Sequence, residues 1–551
     1  MPLWILLAAL SATPAFAQTR DTACGEIVLH NGRITTMSAR DTTASAVVIR
    51  GDRIAAVATA PGIPPHSPCA TVIDLRGRRV VPGMIDTHDH PSYFTARPGY
   101  YTVLDTATSI ADVQKMIRAR EAGVPAGEWV TSLGGWSLAH IAEKRMPTAA
   151  ELDAATTTHP VLLVIAGQGA ANSRGRMWLS GKGVGFNADG TLSAEAAVSA
   201  LNALRATMTF EDRKRTLRDL LAYYSSMGVT THVDQAGPRP PAPELAAITR
   251  GGDGGLNSLD PVAGYLPHAA LEREGQLPGR LRLMFYSLDI TPEVPLLRQR
   301  LDNQLMGFGS DWLRINGAGE RVAGGANAEW LPNGQPTPQY EAAVNLIAQR
   351  GWALQQHTNQ DDAARHVELW EKVNVRVPLA PLRWTLAHAR GIDRPTLDRL
   401  KAMGVGVSMS GSRYMSDGRQ PGPPIKTIVE SGVRASYGSD NPTLPPTNPW
   451  LHMYSIVTGK NFEGTLIEGD QTLSRIEALR LYTINGAWFS RDEDTLGSIE
   501  VGKLGDVVVL SDDFLDPARV PDEAIKRLTS VLTIVGGRVV HDAGVLSAPV
   551  R

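Results

Sequence analysis

Eight short, mostly apolar runs through the middle of the chain set the tightest limit on its fold. They are Met84–His88, Gly228–Asp234, Arg280–Ser287, Trp312–Gly317, Trp352–His357, Arg383–His388, Gly404–Ser410 and Arg434–Asp440. Most have the unbroken apolar texture of strands covered on both faces. Helix signals lie between several of them. Apolar positions recur at helical spacing over 361–373. Asp393 can cap a helix carrying Leu397, Leu400 and Met403, and Ser474 with Glu477 fits a capping box ahead of Leu479. Eight such strands alternating with helices predict an α/β chain closed into a parallel (β/α)8 barrel.

The two ends have a different texture. Glu26–Leu29, Ala46–Ile49 and Ile54–Val57 are β-rich runs broken by Asn31-Gly32 and Gly51-Asp52. Asp506–Leu510 and Val531–Val535, then Gly536-Gly537, repeat the pattern at the far end. These are hairpin signals, and they predict one discontinuous β domain built from both termini. Residues 91–227, between the first and second strands, are far more than one helix needs and carry their own apolar run, Val161–Ala166. They are read as a subdomain inserted over the barrel mouth, with Gly134-Gly135-Trp136 and Gly167-Gln168-Gly169 as its pocket-facing loops.

Composition narrows the function. Lys plus Arg number 54 and Asp plus Glu 56, a formal net charge of -2, so no strong field favours nucleic acid. The apolar run Leu3–Leu10 followed by Ala15-Phe16-Ala17 reads as a secretory signal over 1–17, although Lys and Arg are missing ahead of it. The expected location is therefore periplasmic or secreted, with no membrane insertion once the signal is removed. Self-association is left open. The two cysteines, Cys24 and Cys69, are too few for a Cys-rich zinc site, and in an exported chain they are expected to pair.

Four of the 13 histidines end or closely follow expected strands. His88 and His90 stand two apart, so on an extended strand both imidazoles point to one side. His357, His388 and Asp440 each end a run of their own. A barrel gathers its chemistry at the C-terminal ends of its strands. Four imidazoles and a carboxylate converging there suit a divalent metal, Zn above all. One His-x-His alone is weak, since most histidines are surface or core residues; the weight lies in the set. His232, inside the second run, is the remaining histidine worth following.

The tract Val80–His90 resembles the opening strand motif of the amidohydrolase superfamily. Leu496–Asp506 resembles that family's return into its β-sandwich, and Gly438-Ser439-Asp440-Asn441-Pro442 its last-strand aspartate motif. The long insertion with Gly-Gly-Trp resembles the branch called YtcJ-like, or amidohydrolase family 3. The resemblance implies a β-sandwich over 18–80 and 491–551 around a barrel over 81–490. It also implies His88, His90, His357, His388 and Asp440 as the metal and catalytic constellation. Asp440 would be the base, and His388 a ligand or an oxyanion donor.

Three departures stand out. Relatives carry a carboxylated, metal-bridging lysine on strand four, where Arg314 is placed here; arginine stays cationic. The strand-six Glu-His pair is Ala387-His388, and the insertion's Asp-Gly-His is replaced by Gly167-Gln168-Gly169. Arg314 and Asn316 would share the inner face of their strand. Glu320, a few residues further on, is a substitute bridge or, as the favoured reading, a solvated loop residue. One metal per chain is therefore expected rather than two. Trp136, Gln168, Arg314, Asn316 and Glu320 are the candidate substrate contacts; Trp136, Trp330 and Tyr414 are equally open to being packing residues. The leading function is hydrolysis of an amide-type C–N bond in a small molecule by metal-activated water. A metal-dependent lyase, hydratase or isomerase and a non-catalytic binding protein are the alternatives.

Overall fold

The computed structural model describes residues 24–40, 42–165, 167–235, 265–324, 329–359, 361–411, 422–440 and 446–546. The signal segment, Tyr414 and the Asn441-Pro442 end of the last motif lie outside these residues. All eight expected strands form and pair in parallel, in chain order. They are β1 (Met84–Asp89), β2 (Val229–Asp234), β3 (Arg280–Phe285), β4 (Leu313–Glu320), β5 (Leu354–His357), β6 (Thr385–His388), β7 (Gly406–Ser410) and β8 (Arg434–Gly438). The sheet closes on itself: the Asp440 amide donates to the His88 carbonyl at 2.7 Å, and Asp89 pairs in parallel with Asp440. Gly438 makes that seam possible, because a Cβ there would sit 2.5 Å from the backbone N and O of His88. The Asp86 carboxylate stitches the same seam, accepting from the Ser439 amide at 3.1 Å.

The outer helices bury one face each. Helix Pro338–Gln349 turns Tyr340, Val344 and Ile347 inward, and helix Ala363–Asn374 turns Val367 and Trp370. Asp393 caps its helix as expected, accepting from the Thr396 amide at 2.9 Å. Helix Phe210–Met227 begins with a Thr209/Asp212 capping box and stops at Gly228, whose φ of 94° puts it in the left-handed region glycine tolerates. This helix belongs to the barrel rather than to the insertion, since Leu217, Leu220, Leu221 and Tyr224 join the barrel's apolar core.

The main departure is in β4, which runs on past Gly317 to Glu320. Gly317-Ala318-Gly319 reads as loop, but its small residues are what let the strand press against its neighbour. A Cβ on Gly317 would lie 2.8 Å from the Ala353 carbonyl. Glu320 is therefore a strand end rather than a solvated loop residue.

Both termini build the flanking β layers. One sheet orders Arg53–Ala58, Ala46–Arg50, Glu26–His30 and Thr71–Asp74. The other joins chain ends directly: Val80 pairs with Val509 and Val81 with Val508. Ile27, Leu29, Val47, Ile49, Val507, Val509 and Ile534 fill the space between them. The inserted layer has its own five-stranded sheet, whose strands include Val130–Leu133, Val161–Ile165 and Gln168–Ala171.

Cys24 and Cys69 form a disulfide, with Cα atoms 5.8 Å apart. Closing a loop of 45 residues restricts the unfolded chain. Cys24→Ser is expected to lower the unfolding free energy by about 2–4 kcal/mol, read from denaturant curves. An unchanged midpoint would show that the bond does not form.

Candidate functional site

Six side chains from five strands meet at the C-terminal end of the barrel. His88 and His90 come from β1 and its exit, Glu320 from β4, His357 from β5, His388 from β6, and Asp440 from the exit of β8. Alternation along β1 does what the spacing predicts. His88 and His90 turn toward the cluster, while Asp89 between them turns outward onto His232 Nδ1 at 2.6 Å. His388 and Asp440 have φ values of 67° and 68°, left-handed conformations that non-glycine residues rarely adopt. Such backbone collects where function holds it in place.

Glu320 is the centre of the arrangement. Its carboxylate lies 2.6 Å from His357 Nδ1, 3.4 Å from His388 Nε2, 3.4 Å from His90 Nε2 and 3.5 Å from His88 Nε2. Asp440 stands across from it, 3.7 Å from His88 Nε2, 3.9 Å from His90 Nε2 and 3.6 Å from His388 Nδ1. Burial pushes the Glu320 carboxyl up, but the charge and hydrogen bond of His357, with bonds from His388 and His90, hold it well below the ordinary range. Asp440 is likewise held below the ordinary carboxylate range, although burial opposes its ionisation. Burial pushes His388 down to about 3, which keeps its imidazole neutral.

These residues fit a divalent metal. Ligand atoms of His88, His90 and Asp440 lie within 4.8 Å of one another, and so do those of His88, Glu320 and His388. The tautomer of His88 agrees. Gln355 Nε2 donates to the Thr87 carbonyl at 3.1 Å, so its Oε1, 2.7 Å from His88 Nδ1, must accept. His88 Nδ1 therefore carries the proton. Its Nε2 lone pair faces the two carboxylates, buried and without a hydrogen-bond partner. Neutral imidazole with the far nitrogen anchored is the form a metal requires. Ser410 Oγ lies 2.8 Å from His388 Nδ1 and helps hold that ring. Gln355→Ala is expected to weaken metal binding by about 10–100-fold in a chelator competition titration. Unaltered affinity would remove Gln355 from the metal's support.

The other expected contacts lie elsewhere. Arg314, six residues before Glu320, is about 20 Å down β4. It pairs with Asp492, which also holds the buried Arg282 at 2.8 Å. The end of the strand is Glu320. Asn316 donates to the Phe489 carbonyl at 3.1 Å, again below the site. Trp136 is buried in the inserted layer's own core with Leu104, Ile141 and Met146. Gln168 is the exposed first residue of an inner strand of that layer's sheet. Trp330 packs on His366 and Tyr340 at 4.8 and 5.6 Å. His232 is a support residue, fully buried behind β1 rather than a ligand. Gln355 and Ser410 went unnoticed in the sequence. The one available signal was their place on strands that carry or neighbour a histidine.

Comparison with known proteins agrees with this geometry. A family profile described as "Amidohydrolase family" matches residues 71–541. The chain is 26% identical over 545 residues to an N-substituted formamide deformylase of Arthrobacter pascens, covering 90% of this chain and 94% of that protein. Among solved structures, a metal-dependent hydrolase of Pyrococcus furiosus superposes with a TM-score of 0.56 at 20% identity, over 89% of this chain and 100% of the other. The zinc complex of an atrazine chlorohydrolase from Arthrobacter aurescens TC1 superposes with a TM-score of 0.52 at 15% identity, over 95% and 96%.

Proposed function

Because this chain belongs to the amidohydrolase family, we propose that it hydrolyses amide-type C–N bonds of small organic molecules with bound divalent metal, N-substituted formamides and other short N-acyl compounds foremost. The substrate class follows the relative named an N-substituted formamide deformylase, 26% identical over nearly the whole chain. The observation that carries the reading is the convergence of His88, His90, His357, His388 and Asp440 on Glu320. A metal bound there would lower the pKa of its water and polarise the scissile carbonyl. Asp440, ionised and facing the cluster, takes the water's proton and returns it to the leaving nitrogen. His388, neutral and anchored by Ser410, is a ligand.

Metal identity and count belong to the same proposal. Six donors exceed the four that one zinc takes, and a central carboxylate suits a bridge. The expectation of a single ion rested on the lack of a bridging anion, with Arg314 adding repulsion; Glu320 stands in the cluster and Arg314 pairs with Asp492 instead. Two zinc ions sharing Glu320 are therefore the better reading. The lyase and isomerase alternative rested on the missing lysine, in whose stead Glu320 offers a carboxylate. Protein stripped with a chelator and reloaded with zinc should release formate from N-alkylformamides only when loaded. Metal-independent release, or none from any amide, ester or lactone in a panel, would sink the reading.

Export is part of this proposal. The disulfide between Cys24 and Cys69 favours an oxidising compartment, as does the apolar leader. N-terminal sequencing of secreted protein should begin at Gln18; a retained Met1 would count against it.

A further inference from the structure

Two buried phenols stand beside the cluster with their hydroxyls unbonded. Tyr93 and Tyr286 are 5% and 1% exposed, and neither oxygen has a hydrogen-bond partner among the described residues. Tyr93 lies in the turn Pro91–Ala96 that follows His90 directly, and its ring meets the His90 imidazole edge-on at 5.2 Å. Tyr286 is the residue after β3. Phe285 pairs with Ala318, and the Ser287 amide donates to the Arg321 carbonyl at 3.0 Å. Tyr286 is thereby held alongside Gly319 and Glu320. The two rings thus approach one metal cluster from the exits of β1 and β3.

A buried hydroxyl without a partner costs about 1–3 kcal/mol, and phenylalanine would pack equally well without that cost. Two other buried phenols avoid it, while Tyr482, away from the ligand cluster, does not. Tyr265 donates to the Met284 carbonyl at 2.8 Å, and Tyr340 meets His366 Nδ1 at 2.7 Å. A phenol is protonated at neutral pH, so what each can offer is a donated hydrogen bond. A carboxylate-rich centre has many acceptors; what it lacks is a donor for an oxygen that becomes negative.

We propose that Tyr93 and Tyr286 form a donor pair for the carbonyl oxygen of the amide, holding it as the oxyanion of the tetrahedral intermediate. As water's oxygen bonds to the carbonyl carbon, the C=O π pair moves onto that oxygen, which receives the two O–H bonds. When the intermediate collapses, the pair returns to C=O, the C–N bond breaks, and nitrogen leaves with the proton from Asp440. This rests on the hydrolase reading above.

Tyr93→Phe and Tyr286→Phe test it. Each should lower kcat by about 10²–10³-fold with KM little changed, while zinc content and far-UV circular dichroism stay as in the parent. Calorimetric binding of phenylphosphonate, a tetrahedral anion, to the zinc-loaded protein should weaken at least about tenfold in each variant. Parent-like kcat or parent-like phosphonate affinity in both variants overturns the donor pair and leaves the hydrolase reading standing. A parent protein that hydrolyses nothing, yet loses phosphonate affinity in both variants, would sink the hydrolase reading and keep the donor pair. A variant that misfolds or loses zinc is replaced at that position by Leu, with the same criteria.

Discussion

Asp440→Asn should lower kcat by about 10²–10⁴-fold, the cost of losing a positioned proton acceptor. The change is nearly isosteric. The backbone of residue 440 is pinned by its amide bond to the His88 carbonyl at 2.7 Å, which the substitution leaves in place. What goes is the charge. A divalent cation bound there would favour the ionised Asp440 against the burial that opposes it. An amide cannot take the proton from water or deliver it to nitrogen. Steady-state kinetics on the hydrolysed substrate, beside zinc content by elemental analysis, separates this from loss of metal. A variant with its zinc and a near-parental kcat would remove Asp440 from the base's role.

Glu320→Ala should cut bound zinc from two equivalents to one and lower kcat by about 10³-fold, as expected when several kcal/mol of charge stabilisation is lost. Two cations a few ångströms apart repel strongly, and a shared anion is what permits both. Glu320 is the carboxylate whose two oxygens reach histidines from β1, β5 and β6, at 2.6–3.5 Å. Glu320→Gln keeps the shape and removes the charge, so it should lose the second ion as well. Elemental analysis of gently purified protein decides the matter. One equivalent in the parent, or two retained in Glu320→Ala, would overturn the bridging role.

The architecture and most of the ligand set were legible in the sequence because both rest on local pattern. A strand buried on both faces must be apolar throughout, wherever its partners lie, so eight runs announced eight strands. A spacing of two puts His88 and His90 on one side of any extended segment. Capping at Asp393 and at Ser474 is likewise settled within four residues. Contacts between distant segments settled the rest. The length of β4 depends on Ala353 allowing Gly317 to approach, and that decides whether Glu320 or Arg314 stands at the metal end. The tautomer of His88 depends on Gln355, 267 residues away. The last helix of the expected insertion joins the barrel because Tyr224 and Leu221 find the barrel core. Tyr93 and Tyr286 gain their meaning from facing one cluster, which neither sequence neighbourhood records. Periodicity reports whether a residue is buried; which residues it meets is decided by the register of strands that are paired in space and far apart in the chain.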